Sequence, residues 1–210
     1  MKKPRVIGLT GFYCAGKNHV ARILEKHSLP VLDLDKLGHE VIERERDLLA
    51  KRFGADILDK AGFVDRKLLG AKVFGKPAEL AALEDIIHPE VNRETMKWIN
   101  SREEKACVIN AALLHRSSAF AILDAIIVVE APFFARLLRA RKRDKLPWKM
   151  LIRRFRSQSK FSSQYFTEKT DIYRVRNPSG CTNSGFFRFR AVYLQKKLEN
   201  RIEEILSLLR

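Results

Sequence analysis

Short apolar runs alternate along the chain with longer segments in which apolar residues recur every three or four positions. The runs have the length of strands and the periodic segments have the length of helices. A run that is apolar throughout predicts a strand covered on both faces of a sheet. The predicted strands are residues 5–10, 31–35, 106–110, 125–129 and 171–175.

The periodic segments predict helices between these strands. Strands that alternate with helices indicate an α/β fold, with a parallel five-stranded sheet between two helical layers. We expect one helix over residues 36–53 that stops at Gly54, and a longer helix that starts at Pro89, because proline suits a first helical position. The other predicted helices span residues 17–27, 132–142, 147–156 and 187–209.

The segment from Gly11 to Asn18 joins the first predicted strand to the first predicted helix. Strand, glycine-rich loop and helix together form the context of a phosphate-binding P-loop. Gly11 and Gly16 let the backbone curl so that N–H groups point into one concavity, and Lys17 adds a positive charge for the terminal phosphates. An ordinary glycine-rich turn is the alternative interpretation.

Two side chains of this loop need separate interpretation. Asn18 stands where the P-loop pattern has Ser or Thr, whose hydroxyl binds Mg²⁺. Its carbonyl oxygen offers a ligand for Mg²⁺, directly or through water, or alternatively satisfies backbone groups at the helix start. Cys14 is expected to have a lowered pKa, because N–H groups at a helix terminus stabilise a thiolate.

Acidic residues follow the second predicted strand. Asp33 and Asp35 are two residues apart, a spacing that puts both side chains on one face of a strand. One carboxylate beside the loop would accept a proton from an attacking hydroxyl, and the other would hold water on Mg²⁺. The alternative is that Asp35 caps a helix starting at Lys36. His88, directly before Pro89, is a helix cap or a catalytic residue.

Basic residues are concentrated in one part of the chain. The 210 residues carry a formal net charge of +16, and residues 136–160 contain eleven Lys and Arg residues and a single acid. This segment is either a solvated helix face or a lid over phosphates, in which only a subset of Arg139, Arg141 and Arg143 faces one ligand. A nucleic-acid surface is a third hypothesis, but no recognisable binding motif accompanies the charge, so we do not expect that partner.

The composition indicates neither a membrane span nor a disulfide framework. Hydrophobic residues make up 46% of the chain, enough for a core, but no apolar run has the length of a membrane span. The N-terminal sequence shows no signal peptide, and the three cysteines, Cys14, Cys107 and Cys181, lack metal-ligand spacing. We therefore expect a cytoplasmic protein.

Several motifs, in order along the chain, resemble those of bacterial dephospho-CoA kinases. The resemblance begins with Ile7–Gly11, continues through the loop to Lys17 and includes Val31–Lys36. It implies a P-loop kinase of the nucleoside-monophosphate-kinase type. Further matching motifs are Arg52-Phe53-Gly54, Ile57-Leu58-Asp59, Asp65-Arg66-Lys67-Leu68-Leu69, Val73-Phe74, Ile87-His88-Pro89 and Arg174-Val175-Arg176-Asn177.

The resemblance also implies a reaction and a division of the chain. The reaction transfers the γ-phosphoryl group of ATP, with Mg²⁺, to the ribose 3′-hydroxyl of dephospho-CoA, which is the last step of CoA synthesis. ATP and dephospho-CoA are the expected partners, and a monomer is favoured. The implied parts are a nucleotide-binding core (residues 1–35, 101–135 and 167–210), a helical acceptor segment (36–100) and a basic lid (136–166).

Matching positions imply roles for individual residues. Asp33 is expected to be the general base, Lys17 to hold the phosphates and Arg143 to be the lid arginine. Asn177 is expected to lie near the adenine of ATP, and His88 to belong to the acceptor site. The full ATP-binding set is Gly11, Cys14, Ala15, Gly16, Lys17, Asn18, His19 and Asn177, and the acceptor-binding set is Asp33, Asp35, His88 and Asn110.

The chain departs from the family pattern at two places. Asn18 replaces the usual Ser or Thr. The family usually has Asp-x-Pro-Leu-Leu-Phe-Glu after its third core strand, whereas this chain has Asn110-Ala-Ala-Leu-Leu-His-Arg116. Because Asn18 and Asn110 both lie where a metal and the acceptor hydroxyl would meet, we expect these changes to be coupled. A kinase-like protein that binds ATP or CoA with little turnover is therefore an alternative hypothesis.

Overall fold

A computed structural model describes most of the chain. The described residues are 3–157, 170–177 and 185–209. They do not include Cys181 or residues 158–166 of the predicted lid.

The chain divides into two compact units. The first comprises Met1–Val31 and Glu103–Arg210, and the second comprises Leu32–Arg102. No helix in the described part of the chain is long and apolar enough to cross a membrane.

Five strands form one sheet, and their bounds are β1 (Arg5–Gly11), β2 (Val31–Asp33), β3 (Ala106–Asn110), β4 (Ala125–Glu130) and β5 (Asp171–Arg176). Their order across the sheet is β2-β3-β1-β4-β5. β1 pairs in parallel with both β3 and β4, and β4 pairs in parallel with β5. The predicted parallel five-stranded α/β fold is confirmed, although β2 ends two residues earlier than predicted.

The core of the first unit lies between the central strands and two helices, α1 (Lys17–Lys26) and, near the end of the chain, a helix at Gly185–Leu208. β4 is buried along almost its whole length because it is covered on both faces. The helix at Lys17–Lys26 contributes Val20, Ile23 and Leu24 to this core, and the last helix contributes Leu198, Ile202 and Ile205.

Gly8, in the middle of β1, allows the segment after β3 to pack closely against the sheet. A Cβ atom on Gly8 would lie 2.5 Å from the side chain of Leu114 and 2.8 Å from that of Leu123. Leu114 is fully buried. Leu114, which belongs to the Asn110–Arg116 segment that departs from the family pattern, is therefore part of the core packing.

Four helices make up most of the second unit: α2 (Leu34–Arg44), α3 (Arg46–Phe53), α4 (Arg66–Val73) and α5 (Pro77–Asn100). The prediction of one continuous helix over residues 36–53 was wrong, because the chain leaves helical geometry at Glu45. The predicted stop at Gly54 is confirmed, and its φ of 99° is a conformation that glycine adopts without strain.

The longest helix of the second unit starts earlier than the sequence pattern suggested. The prediction that it begins at Pro89 was wrong, because Pro77 occupies its first turn and Pro89 lies in its interior. Residues 78–84 are mostly Ala, Leu and Glu, which are strong helix formers and outweigh the cost of an internal proline. Proline has no N–H group, so the carbonyl of Asp85 lacks its usual helical donor.

In the remainder of the first unit, two helices follow β4, α6 (Phe133–Asp144) and α7 (Trp148–Ser157), and α8 is the final helix at Gly185–Leu208. Each lies within a few residues of its predicted position. The arginine-rich segment is therefore mainly helical where it is described.

We expect Pro89→Ala to stabilise the protein. Alanine restores the missing hydrogen bond and removes the steric conflict in the helix interior, which should raise the free energy of unfolding by about 1 to 3 kcal/mol. Urea denaturation followed by circular dichroism measures this change. Pro77→Ala is the matched control and should have little effect, because the N–H that alanine adds in the first turn has no acceptor within the helix. A Pro89→Ala variant no more stable than this control would contradict the prediction.

Candidate functional site

The loop after β1 curls tightly before α1 begins. The Phe12 N–H donates to the carbonyl of Val129 at 3.1 Å, and the Ala15 N–H donates back to the carbonyl of Phe12 at 2.8 Å. Cys14 and Gly16 have φ values of 57° and 97°, both in the left-handed region. Left-handed backbone at these two positions turns the N–H groups of the loop inward, and the resulting concavity suits an anion.

The start of α1 strengthens this concavity. Gly16 is the N-cap of α1 and Lys17 is its first residue. The first turn contains no acidic residue, so the positive end of the helix dipole is not neutralised by α1 itself. The predicted P-loop geometry of strand, curled loop and helix is therefore present.

Asn177, at the end of β5, holds the loop from outside. Its side-chain Nδ2 donates to the carbonyl of Ala15 at 2.9 Å, and its backbone N–H donates to the carbonyl of Glu130 at 2.7 Å. The residue is only 3% exposed. A Cβ atom on Gly16 would lie 2.2 Å from Asn177 Nδ2, so only glycine fits at this position of the loop.

Arg139 of α6 completes this support. Its Nη1 donates to the carbonyls of Cys14 at 3.2 Å and Ala15 at 3.0 Å, and its Nη2 donates to the carbonyl of Asn177 at 3.3 Å. A planar guanidinium suits several acceptors at once. Arg139 therefore satisfies carbonyl groups of the loop, a role that the sequence pattern did not indicate.

The predicted lid arginine, Arg143, lies against the loop residue Tyr13. Its guanidinium is 5.1 Å from the centre of the Tyr13 ring, and its Nε donates to Asp144 at 2.7 Å. The Tyr13 hydroxyl also donates to Asp144, as does Arg154 of α7 at 3.2 Å. Asp144 thus connects the loop with both helices of the basic segment.

Arg136 is enclosed by aromatic rings. Its guanidinium lies 5.0 Å from the ring centres of both Phe12 and Phe155. Burial lowers the pKa of Arg136 from its ordinary value. Its Nε is buried, with no hydrogen-bond partner among the described residues. Arg136 therefore packs α6 and α7 against the loop by cation–π contact.

Asn18 and Asn110, the two positions that depart from the family pattern, are in contact. Asn110 is the last residue of β3 and is 1% exposed, whereas Asn18 in the first turn of α1 is exposed. The Nδ2 of Asn110 donates to the Oδ1 of Asn18 at 3.4 Å. The structure therefore brings together the two residues that were expected to be coupled.

The side chain of His19 contacts α8. Its Nε2 is 2.8 Å from the Oε1 of Gln195, whose Nε2 donates to Glu199 at 2.8 Å. The backbone N–H of His19 donates to the carbonyl of Gly16. The imidazole therefore ties α1 to α8, and a contact of His19 with nucleotide stays a prediction.

The predicted acceptor residues lie in the second unit, apart from Asn110. Asp33, not Asp35, is the N-cap of α2, because its Oδ1 accepts from the N–H groups of Asp35 at 3.0 Å and Lys36 at 3.2 Å. The prediction that both carboxylates share one strand face was also wrong, since β2 ends at Asp33. His88 is exposed within α5 and does not cap a helix.

The pKa of Cys14 is raised, which contradicts the expected lowering. Burial of the thiol disfavours the thiolate and outweighs the attraction of nearby arginines, mainly Arg143 and Arg139. The thiol is therefore protonated at neutral pH.

We expect Cys14 to react with iodoacetamide at pH 7.5 more slowly than free cysteine. A raised pKa leaves less thiolate, the form that reacts, and the rate should climb as the pH rises toward 9. Mass spectrometry of the alkylated peptide measures the rate, with glutathione as the reference thiol. Alkylation as fast as that of glutathione would show that the arginines dominate.

We expect Arg139→Met to weaken nucleotide binding. Loss of the guanidinium removes its hydrogen bonds to the carbonyls of Cys14 and Ala15. The Kd for ADP should rise about tenfold, a cost typical of one hydrogen bond to a charged group. Isothermal titration calorimetry measures the Kd. Lys142→Met, an exposed position on the same helix, removes the same charge. Equal effects of the two variants would mean that Arg139 acts only through its charge.

The sequence matches a known family over most of its length. The model of the dephospho-CoA kinase family matches residues 5–172. The chain is 33% identical to the dephospho-CoA kinase of Treponema denticola over 186 residues, which cover 83% of each protein. It is 28% identical to the dephospho-CoA kinase of Borrelia garinii, over 98% of this chain and 97% of that protein.

Solved structures are similar over nearly the whole chain. A Thermus thermophilus protein matches with a TM-score of 0.76 and 28% identity, over 100% of both chains. The dephospho-CoA kinase of Campylobacter jejuni matches with a TM-score of 0.61 and 24% identity, over 97% of this chain and 98% of that one, which supports the shared fold. Together with the curled loop, Lys17 and the parallel sheet, these matches show that the chain belongs to the dephospho-CoA kinase family of P-loop kinases.

Proposed function

We propose that this protein transfers the γ-phosphoryl group of ATP to the ribose 3′-hydroxyl of dephospho-CoA, which forms CoA and ADP. The observation that carries the proposal is the curled loop from Gly11 to Gly16 with Lys17 at the start of α1, in a chain that belongs to this family. Phosphoryl transfer requires positioned charge more than covalent chemistry. The loop offers that charge.

The phosphates of ATP are assigned to the loop. Backbone N–H groups between Gly11 and Gly16 would bind phosphate oxygens, and Lys17 would carry a point charge to the terminal phosphates. Cys14 and Ala15 contribute through their backbones, because their carbonyls accept from Arg139 on the outside of the loop. Asn177 also donates to the carbonyl of Ala15. Its contact with adenine stays a prediction.

Mg²⁺ fits this site as an ion held mainly by the nucleotide. The described residues contain no cluster of three or more His, Cys, Asp or Glu side chains. Asn18 offers one neutral oxygen, so the phosphates would supply the anionic ligands. When bound beside Asn18, Mg²⁺ would supply positive charge that offsets the negative charge of the phosphates.

Asp33 is the proposed general base. As the 3′-oxygen forms its bond to the γ-phosphorus, the bond from that phosphorus to ADP breaks and the hydroxyl proton passes to Asp33. The two N–H groups at the start of α2 fix the orientation of this carboxylate. Arg143 would stabilise the charge on the transferring group.

The acceptor site is proposed from the remaining residues. Asp35, His88 and Asn110 would contact dephospho-CoA, and the helical residues 36–100 would form its binding segment. Residues 136–166 would form the lid over ATP. We also expect a monomer, and a cytoplasmic location.

A kinase-like protein with little turnover is the second candidate, and the contact between Asn18 and Asn110 favours it. Two amides occupy positions where a hydroxyl and a carboxylate are usual in the family. A nucleic-acid surface receives less support. Arg136, Arg139 and Arg143 of the basic segment all contact other residues of the chain.

We expect Asp33→Asn to lower kcat about 10²- to 10⁴-fold, the usual contribution of a general base. Asparagine caps helices as well as aspartate does, so α2 should remain intact. Release of CoA and ADP from Mg·ATP and dephospho-CoA measures the rate.

Asp65→Asn is the matched control. Asp65 caps α4 with the same pair of hydrogen bonds, to the N–H groups of Lys67 and Leu68. The control should keep wild-type turnover. An Asp33→Asn variant as active as the control would remove Asp33 from catalysis. Binding of dephospho-CoA without turnover by the wild-type protein would instead support the kinase-like candidate.

A further inference from the structure

The contact between Asn18 and Asn110 lies where α1 begins and β3 ends, both in the first unit. In the P-loop pattern, the residue after the lysine supplies a hydroxyl to Mg²⁺. Here that residue is an amide whose oxygen accepts from a second amide at 3.4 Å. The second amide is almost completely buried, so its surroundings restrict its orientation.

We propose that Asn18 and Asn110 act as one unit, an uncharged amide pair that replaces the hydroxyl ligand of Mg²⁺ and leaves nucleotide binding only weakly dependent on the cation. The inference rests on the proposed nucleotide site of the Gly11–Asn18 loop. It adds that these two residues together determine how strongly Mg²⁺ affects the affinity for nucleotide.

The polarity of the hydrogen bond explains why the two residues belong together. A hydroxyl that binds a cation must direct its single proton away from the ion, toward an acceptor. Asn110 presents a donor, Nδ2, to position 18. A donor suits the amide oxygen of Asn18, which has one lone pair for Asn110 and one for the ion. A hydroxyl at that position would find a donor in Asn110, and not the acceptor that its own proton needs.

The charge of the pair leads to the same conclusion. Neither amide is ionised, so the pair brings no negative charge to a loop that is already flanked by Lys17 and Arg139. Mg²⁺ in phosphate sites is usually held by one or two carboxylates in addition to the phosphates. With a single neutral oxygen from Asn18, this part of the protein would hold the ion weakly, and the phosphates would interact mainly with the loop and its cations.

A double-mutant cycle tests the inference without measuring turnover. The Kd for ADP is determined by isothermal titration calorimetry, with Mg²⁺ and with EDTA. The proteins are the wild type, Asn18→Thr, Asn110→Asp and the double variant. We expect Mg²⁺ to change the wild-type Kd by less than about threefold and the Kd of the double variant by about tenfold or more. The Mg²⁺ effect in the double variant should exceed the value expected from the two single variants by about fivefold or more.

Two further variants keep the test valid if Asn110→Asp, which places a charge at a buried position, does not fold. Thermal unfolding of each variant shows whether it folds. Asn18→Ala changes an exposed position and should abolish the remaining Mg²⁺ effect. Asn110→Ser replaces the amide donor with a hydroxyl, which can also accept a hydrogen bond, and adds no buried charge. In that background, Asn18→Thr should increase the Mg²⁺ effect more than it does with Asn110 present.

The outcomes separate this inference from the proposed function. Additive effects of the two substitutions, or a tenfold Mg²⁺ effect in the wild type, would overturn the inference while ADP binding still supported the nucleotide site. A wild-type protein that binds no ADP in either condition would contradict the nucleotide site and the inference together.

Discussion

The structure of the first unit depends on one backbone constraint, which is that a short loop must turn its N–H groups inward while its carbonyls point outward. Cys14 and Gly16 reach the required geometry through positive φ values. The outward carbonyls need donors, since an unsatisfied polar group is costly when water is excluded. Arg139 and Asn177 supply those donors and thereby connect the loop to α6 and to the end of β5.

The same constraint gives the basic segment an internal role. Arg136 lies between Phe12 and Phe155, and Arg143 lies against Tyr13. These contacts pack α6 and α7 against the loop through the faces of aromatic rings, which attract cations. Part of the large positive charge therefore organises the site itself. It is not simply a surface available to a polyanion.

Local patterns in the sequence were sufficient for the main elements but not for all of their boundaries. The apolar runs predicted β1, β3 and β4 because strands inside a covered parallel sheet are buried on both faces. Pro89 misled the prediction, because the strong helix formers after Pro77 carry α5 through it. The sequence did not show whether Asp33 or Asp35 caps a helix. Asp33 is the cap because β2 ends at this residue and α2 begins at the next one.

The sequence by itself determined the class of fold, the phosphate loop and the family, because each is a pattern of neighbouring residues or of ordered motifs. Only the tertiary structure decided the partners of the site residues. Arg139 is 125 residues from Cys14, Asn177 is 162 residues from Ala15, and Asn18 is 92 residues from Asn110. A hydrogen bond requires a definite distance and direction between its donor and acceptor, and for residues so far apart in sequence these are fixed only when the sheet and helices pack.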